Sequence, residues 1–151
     1  MTETDEKWMQ LALDSALSAA KLDEVPIGAC VIDARGELIA TGYNRTITDS
    51  DPTAHAEIVA LRSAARAVGN YRLTDLTLYT TIEPCVMCAG ALVNARIKRL
   101  VYGAADERFG AVGTLFRLCD HDALNHRIEI TSGVLANECR RLMQDFFRQR
   151  R

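Results

Sequence analysis

Two short stretches hold the residue types that do chemistry, Pro52-Thr-Ala-His55-Ala-Glu57 and Glu83-Pro84-Cys85-Val-Met-Cys88. A neutral imidazole and two thiolates suit zinc, and three protein ligands leave the fourth tetrahedral position to water, as a catalytic site requires. Cys85 and Cys88 stand three apart, so at the start of a helix both sulfurs reach one side. Pro84 fits a helix entry, because its φ is preset and its missing N–H has no intrahelical partner to lose. The partial positive charge of a helix N-terminus also lowers thiol pKa values. Glu57 follows His55 by two, which on a regular helix turns it about 200° away. It is a poor fellow ligand and a good proton carrier, able to take a proton from an activated water and hand it to a leaving group.

Each half alone has plainer readings. A Cys-x-x-Cys is also a redox pair or half of a structural zinc site, and a His-x-Glu arises by chance in many helices. A closed structural site needs four ligands, and Cys30, Cys119, Cys139, His121 and His126 show no paired spacing that supplies them. Together the two halves match the signature of zinc deaminases, His-x-Glu followed by Pro-Cys-x-x-Cys.

A chain of 151 residues suits one domain, spanning 1–151. The 48% hydrophobic and 25% charged content is that of a globular chain and excludes extended disorder. No apolar run reaches the ~18 residues of a membrane span, and the acidic N-terminus lacks the features of a signal peptide. A cytoplasmic protein without a membrane partner is expected. Five cysteines, an odd number, argue against a disulfide framework and agree with a reducing compartment. The net charge of −2 gives no hint of nucleic acid, so any such contact must come from the distribution of charge.

Residues 5–22 read as an amphipathic cover helix through Trp8, Leu11, Ala12, Ser15, Ala19 and Leu22, with Asp5 and Glu6 favoured by the helix dipole in its first turn. Residues 27–32 and 38–41 read as a β-hairpin around Gly36, with Cys30 filling core. Asn44 offers both a donor and an acceptor, enough to read a base edge, although steadying a turn is the commoner role of Asn. A helix over 54–68 ends at Gly69-Asn70, with Arg62 and Arg66 in solvent. Residues 76–80 form a buried strand that runs into the cysteine helix, and 100–102 form another. Strands alternating with helices give a layered α/β sheet, with a pocket where helix N-termini meet carboxyl ends of strands. Residues 104–127 are irregular, long enough to suggest function, and open on Asp106-Glu-Arg108. A short edge strand over 128–131 and a helix over 135–148 close the chain. That helix turns Leu135, Cys139, Leu142, Met143 and Phe146 inward and ends in the basic Arg140, Arg141, Arg148, Arg150 and Arg151. Phe147, one position round from Phe146, is expected at an RNA groove or a dimer seam, and Arg148, Arg150 and Arg151 beside it on phosphates.

From about Trp8 to Arg150 the chain resembles bacterial tRNA-specific adenosine deaminases within the wider cytidine deaminase superfamily. The resemblance rests on Val25-Pro-Ile-Gly-Ala29, Gly42-Tyr-Asn-Arg45, Asp51-Pro-Thr-Ala-His-Ala-Glu57, Glu83-Pro-Cys-Val-Met-Cys-Ala-Gly90, Asn125-His-Arg-Ile-Glu-Ile-Thr131 and Asp145-Phe-Phe-Arg148. It implies a three-layer α/β/α cytidine-deaminase-like fold whose central mixed sheet has about five strands. It implies zinc on His55, Cys85 and Cys88, Glu57 as proton donor and acceptor, and Asn44 on the target base, with Asp106, Phe147 and Arg148 taken as further substrate-binding residues. It implies a homodimer acting on the anticodon stem-loop of an arginine tRNA, where the wobble adenosine becomes inosine by attack of an activated water at C6. The family usually has Lys where this chain has Arg108, which keeps the charge. Three other readings share parts of the pattern: a deaminase of free cytidine, cytosine or guanine, a non-catalytic zinc-stabilised RNA-binding module, and a thiol redox protein.

Overall fold

Strand residues alternate between two faces, and here both faces are apolar, so the sheet must be covered on both sides. The computed structural model describes residues 2–150. Its strands are β1 (Gly28–Ile32), β2 (Leu38–Tyr43), β3 (Thr77–Ile82), β4 (Arg99–Ala104) and β5 (Glu129–Ser132), and its helices are α1 (Glu3–Lys21), α2 (Ala56–Val68), α3 (Val86–Ala95) and α4 (Ala136–Arg148). The spatial order is β2-β1-β3-β4-β5. β1 pairs antiparallel with β2 and β3, while β3, β4 and β5 run parallel, which makes the sheet mixed.

Ala29, Val31, Leu78, Leu100 and Tyr102 face one side and pack on Ala56, Ala60, Leu61 and Ala64 of α2 and Ala89 and Leu92 of α3. Cys30, Ile32, Tyr79 and Val101 face the other, against Met9, Ala12 and Leu13 of α1 and Cys139 of α4. The result is the expected three-layer α/β/α fold with five strands. As expected, Gly69 ends α2 in the left-handed region at φ 71°, and no helix or strand lies between Ala104 and Glu129. Among the described residues no helix is long and apolar enough to cross a membrane.

The buried stripe of α1 differs from the one read in the sequence. It runs through Met9, Ala12, Leu13, Ala16 and Ala19, while Trp8 sits half-buried at its edge under the Lys7 ammonium, and Leu22 is exposed. Small side chains won over large ones because three alanines let the helix backbone lie close to the sheet. Asp5, expected only to meet the helix dipole, is buried: its carboxylate accepts from both Arg99 amino groups at 2.9 and 2.8 Å and from the Tyr79 hydroxyl at 2.7 Å. Arg140, Arg141, Arg148 and Arg150 are all exposed, and Arg151 lies outside the described residues.

Candidate active site

Two helix N-termini converge where β3 ends. His55 caps α2, Cys85 caps α3, and Cys88 is the third residue of α3; Pro84 lies just outside the helix, two positions before the one a first-turn proline takes. Neither cap residue spends its side chain on the helix end, so the imidazole and thiol stay free to face each other. The α2 entry is held by Asn44, whose Oδ1 accepts from the Ala56 N–H at 2.8 Å. Beneath it Gly42 allows the helix onto β2: a Cβ there would sit 2.6 Å from both the Ala56 carbonyl oxygen and the Ala60 nitrogen. Without that contact His55 would ride away from the sheet that carries the cysteines.

The His55 Nδ1 lies 3.6 Å from the Cys85 Sγ and 3.5 Å from the Cys88 Sγ, and the three donor atoms all fall within 4.8 Å of one another. With Zn–S about 2.3 Å and Zn–N about 2.0–2.1 Å, tetrahedral coordination sets the S···N edge at about 3.6 Å, so the donor set fits zinc in identity and in spacing. The hydrogen bond from Cys88, followed by that from His55, pulls the Cys85 thiol down to about 4, which favours the thiolate a metal binds. Cys88 is pushed up by the same pairing and by burial. The Cys85 contact also raises the His55 pKa.

Glu57 stands outside this trio of donors. It is 4% exposed, and burial pushes its carboxyl up to about 7, close to the pH at which a general acid and base must both give and take a proton. His55, Glu57, Cys85 and Asn44 open together onto a cleft of about 1000 Å³.

The remaining residues singled out by sequence divide. Asp106 borders the cleft, but its Oδ1 already accepts from the Arg108 and Phe109 N–H groups at 2.9 and 3.1 Å. Phe147 also borders it, brought there by α4. Arg148 points away, into a shallow depression with Met143 and Gln144, and pairs with Asp145 at 3.3 Å. Arg150 does reach the cleft, lying over the Phe146 ring and bonded to Asp23. Two glutamates were missed. Glu24, buried, accepts from the Ile47 and Thr48 N–H groups and the Thr46 and Thr48 hydroxyls, and Glu83, equally buried, accepts from the loop after β4. Each thereby fixes a loop that borders the cleft. The available signal was position: each is a glutamate set directly before an apolar or proline-led stretch that lines the site, Glu24-Val25 and Glu83-Pro84.

A covered mixed sheet, with an imidazole and two thiols at paired helix N-termini and a buried carboxylate beside them, defines a deaminase of cytidine-deaminase-like architecture. The MafB19-like deaminase family matches residues 3–151. The tRNA-specific adenosine deaminase of Haemophilus influenzae is 51% identical over 150 residues, covering 99% of this chain and 87% of that protein. The Bacillus subtilis protein of that description is 43% identical over 147 residues, covering 97% and 91%. A solved structure from work on A-to-I editing by tRNA A34 deaminases superposes with a TM-score of 0.86 at 44% identity, over 90% of this chain and 98% of that one. The guanine deaminase of Nitrosomonas europaea superposes with a TM-score of 0.82 at 28% identity, over 93% and 83%. The chain belongs to the tRNA-specific adenosine deaminase family.

Proposed function

We propose that residues 1–151 form one catalytic domain that hydrolyses the wobble adenosine of an arginine tRNA anticodon loop to inosine and ammonia, with zinc on His55, Cys85 and Cys88. The observation that carries this reading is a carboxylate, Glu57, buried beside three donors of zinc-matched spacing yet outside their cluster. Bound zinc supplies an acidified water, with a pKa brought down towards ~7.

The protein's part is positioning and proton transfer. Glu57 takes a proton from the water as its oxygen bonds to C6 of adenine, and delivers that proton to N1. It then carries the second water proton to the exocyclic nitrogen, so the C6–N6 bond breaks and ammonia leaves. Asn44 orients the base: its Oδ1 is engaged by the Ala56 N–H, which leaves the amide NH₂ to donate to a ring acceptor. Asp106 and Phe147 are assigned to the nucleotides around the target, and Arg148, outside the cleft, to phosphates beyond them. A free base would fill a small part of a cleft of about 1000 Å³, which supports a polymer with an extruded, unpaired base. The reading includes a homodimer and a cytoplasmic location, which a sedimentation experiment and cell fractionation test.

Deamination of a free purine base is the second reading, favoured by the likeness to a guanine deaminase. Incubating the protein with an arginine tRNA anticodon stem-loop and sequencing the cDNA separates the two. The wobble A should read as G. Ammonia release from free guanine with no change in the stem-loop would overturn the assignment.

A further inference from the structure

Glu83 sits between β3 and Pro84, 3% exposed, with no ion pair to any cation among the described residues. Every acceptor it has is turned to one loop. Its Oε1 accepts from the Asp106 N–H at 3.1 Å and from the Thr114 hydroxyl, and its Oε2 accepts from the N–H groups of Val112, Gly113 and Thr114 at 3.1, 2.9 and 3.1 Å. The donors stand at both ends of residues 106–114, so a single carboxylate cinches the loop as a drawstring would. Gly110 is shaped to this arrangement, since a Cβ there would strike the Glu83 carboxylate. On the crest between the two tethered ends stand Arg108 and Phe109, both lining the cleft, with Phe109 64% exposed.

We propose that Glu83 is a positioning residue for substrate binding: by tying residues 106–114 it presents Arg108 and Phe109 as the wall met by the nucleotides flanking the target base. Arg108 takes a phosphate and Phe109 stacks on a flanking base, contacts with neighbouring nucleotides that a single-stranded loop offers and a free base lacks. The assignment rests on the RNA reading above. Glu83 takes no direct part in the chemistry, because both its oxygens are committed to the loop. Glutamine cannot replace it, having one acceptor oxygen and an NH₂ that would face N–H donors.

Glu83→Gln, Thr114→Val and Phe109→Ala test this in the zinc-loaded protein with the anticodon stem-loop as substrate. Thr114→Val keeps the side-chain shape and removes only the hydroxyl, at a position distant in sequence from the ligands, so it decides the matter should Glu83→Gln not fold. Each variant is expected to raise KM on the order of tenfold, the scale of one lost base-stacking contact, with kcat and zinc content held. Amide exchange at Val112 and Gly113 should quicken in Glu83→Gln. Phe109→Ala placed on top of Glu83→Gln should add little, since one change already displaces the contact that the other deletes. A purely structural role would lower the active fraction, hence the apparent kcat, and leave KM alone. That pattern, or unchanged KM in Thr114→Val and Phe109→Ala, overturns the proposal while the RNA reading stands. A wild-type protein inert on the stem-loop overturns both.

Discussion

Glu57→Gln removes one ionisable group and almost nothing else, because the amide has the shape of the acid. The size of its effect follows from what else the cleft contains. The other acids and bases lining the pocket are His55 and Cys85, turned to each other, Glu83, saturated by the loop it ties, Asp106, engaged by two backbone N–H groups, and the cations Arg108 and Arg150. None can stand in as a proton carrier. Each positioned proton transfer is worth ~10²–10⁴ in rate, and the proposed reaction needs Glu57 at more than one. A loss of ~10⁴ or more in kcat is expected, equivalent to a barrier raised by about 5.5 kcal/mol. Zinc should remain at one equivalent, since Glu57 lies outside the donor cluster. Melting should be unchanged or higher, because a buried acid whose charged form is disfavoured gives way to a neutral amide. Ammonia release from the stem-loop, elemental analysis and a thermal melt together make the assay. A loss below tenfold would show that another group moves the protons, and zinc lost along with activity would make Glu57 a ligand.

Cys88→Ala should lower zinc content below one equivalent and destabilise the domain, and a full equivalent held with unchanged affinity would remove Cys88 from the ligand set. Gly42→Ala should loosen zinc binding without touching a ligand, because the added methyl drives α2 and His55 off β2; zinc affinity equal to wild type would refute that coupling. Arg99, with Tyr79, holds the Asp5 carboxyl below its ordinary 3.8, so the stability from this group is present above that value and is lost as the pH falls through the lower folded value. Asp5→Asn should lower the neutral plateau by about 3 kcal/mol, the low end for breaking a buried pair, since Arg99 is 28% exposed and keeps its bond to Thr131. It should also flatten the acid limb in urea titrations, and an unaltered acid limb would refute the assignment. Replacing Arg148 and Arg150 with Gln should weaken stem-loop binding and reduce the slope of log affinity on log salt by up to ~0.7–0.9 per lost phosphate contact; a wild-type slope would mark the basic end as a solvated face.

What could be read without coordinates was whatever a local pattern determines. The three zinc-type donors and Glu57 were legible because spacing on a helix fixes relative direction over a few residues, and the strands because apolar runs between turn residues have few alternatives. The stripe of α1 was misread because close backbone approach is a property of the helix and sheet together, and Trp8 and Leu22 outweighed Met9 and Ala16 in any count made on the helix alone. Asp5, Glu24 and Glu83 escaped for a similar reason. Asp5 meets Tyr79 and Arg99 from two strands far along the chain, and the loop donors of Glu83 lie 23 to 31 residues away. The place of Glu24 and Glu83 before site-lining stretches could be read locally, but the partners of a buried acid at that range could not.

Asn44 spends one end of a single amide on holding the entry of α2 and turns the other to the cleft. With the base contact proposed above, these two duties make the position hard to retune. Aspartate would keep the acceptor for Ala56 and put a charge where a donor stood, while serine, threonine or histidine would shift or drop the acceptor and let the turn that carries His55 drift. An evolving enzyme that needs to accept a different base is therefore pushed to change the walls of the cleft first, and a laboratory selection for altered base preference should collect its early substitutions in the tethered loop and along α4, leaving residue 44 alone.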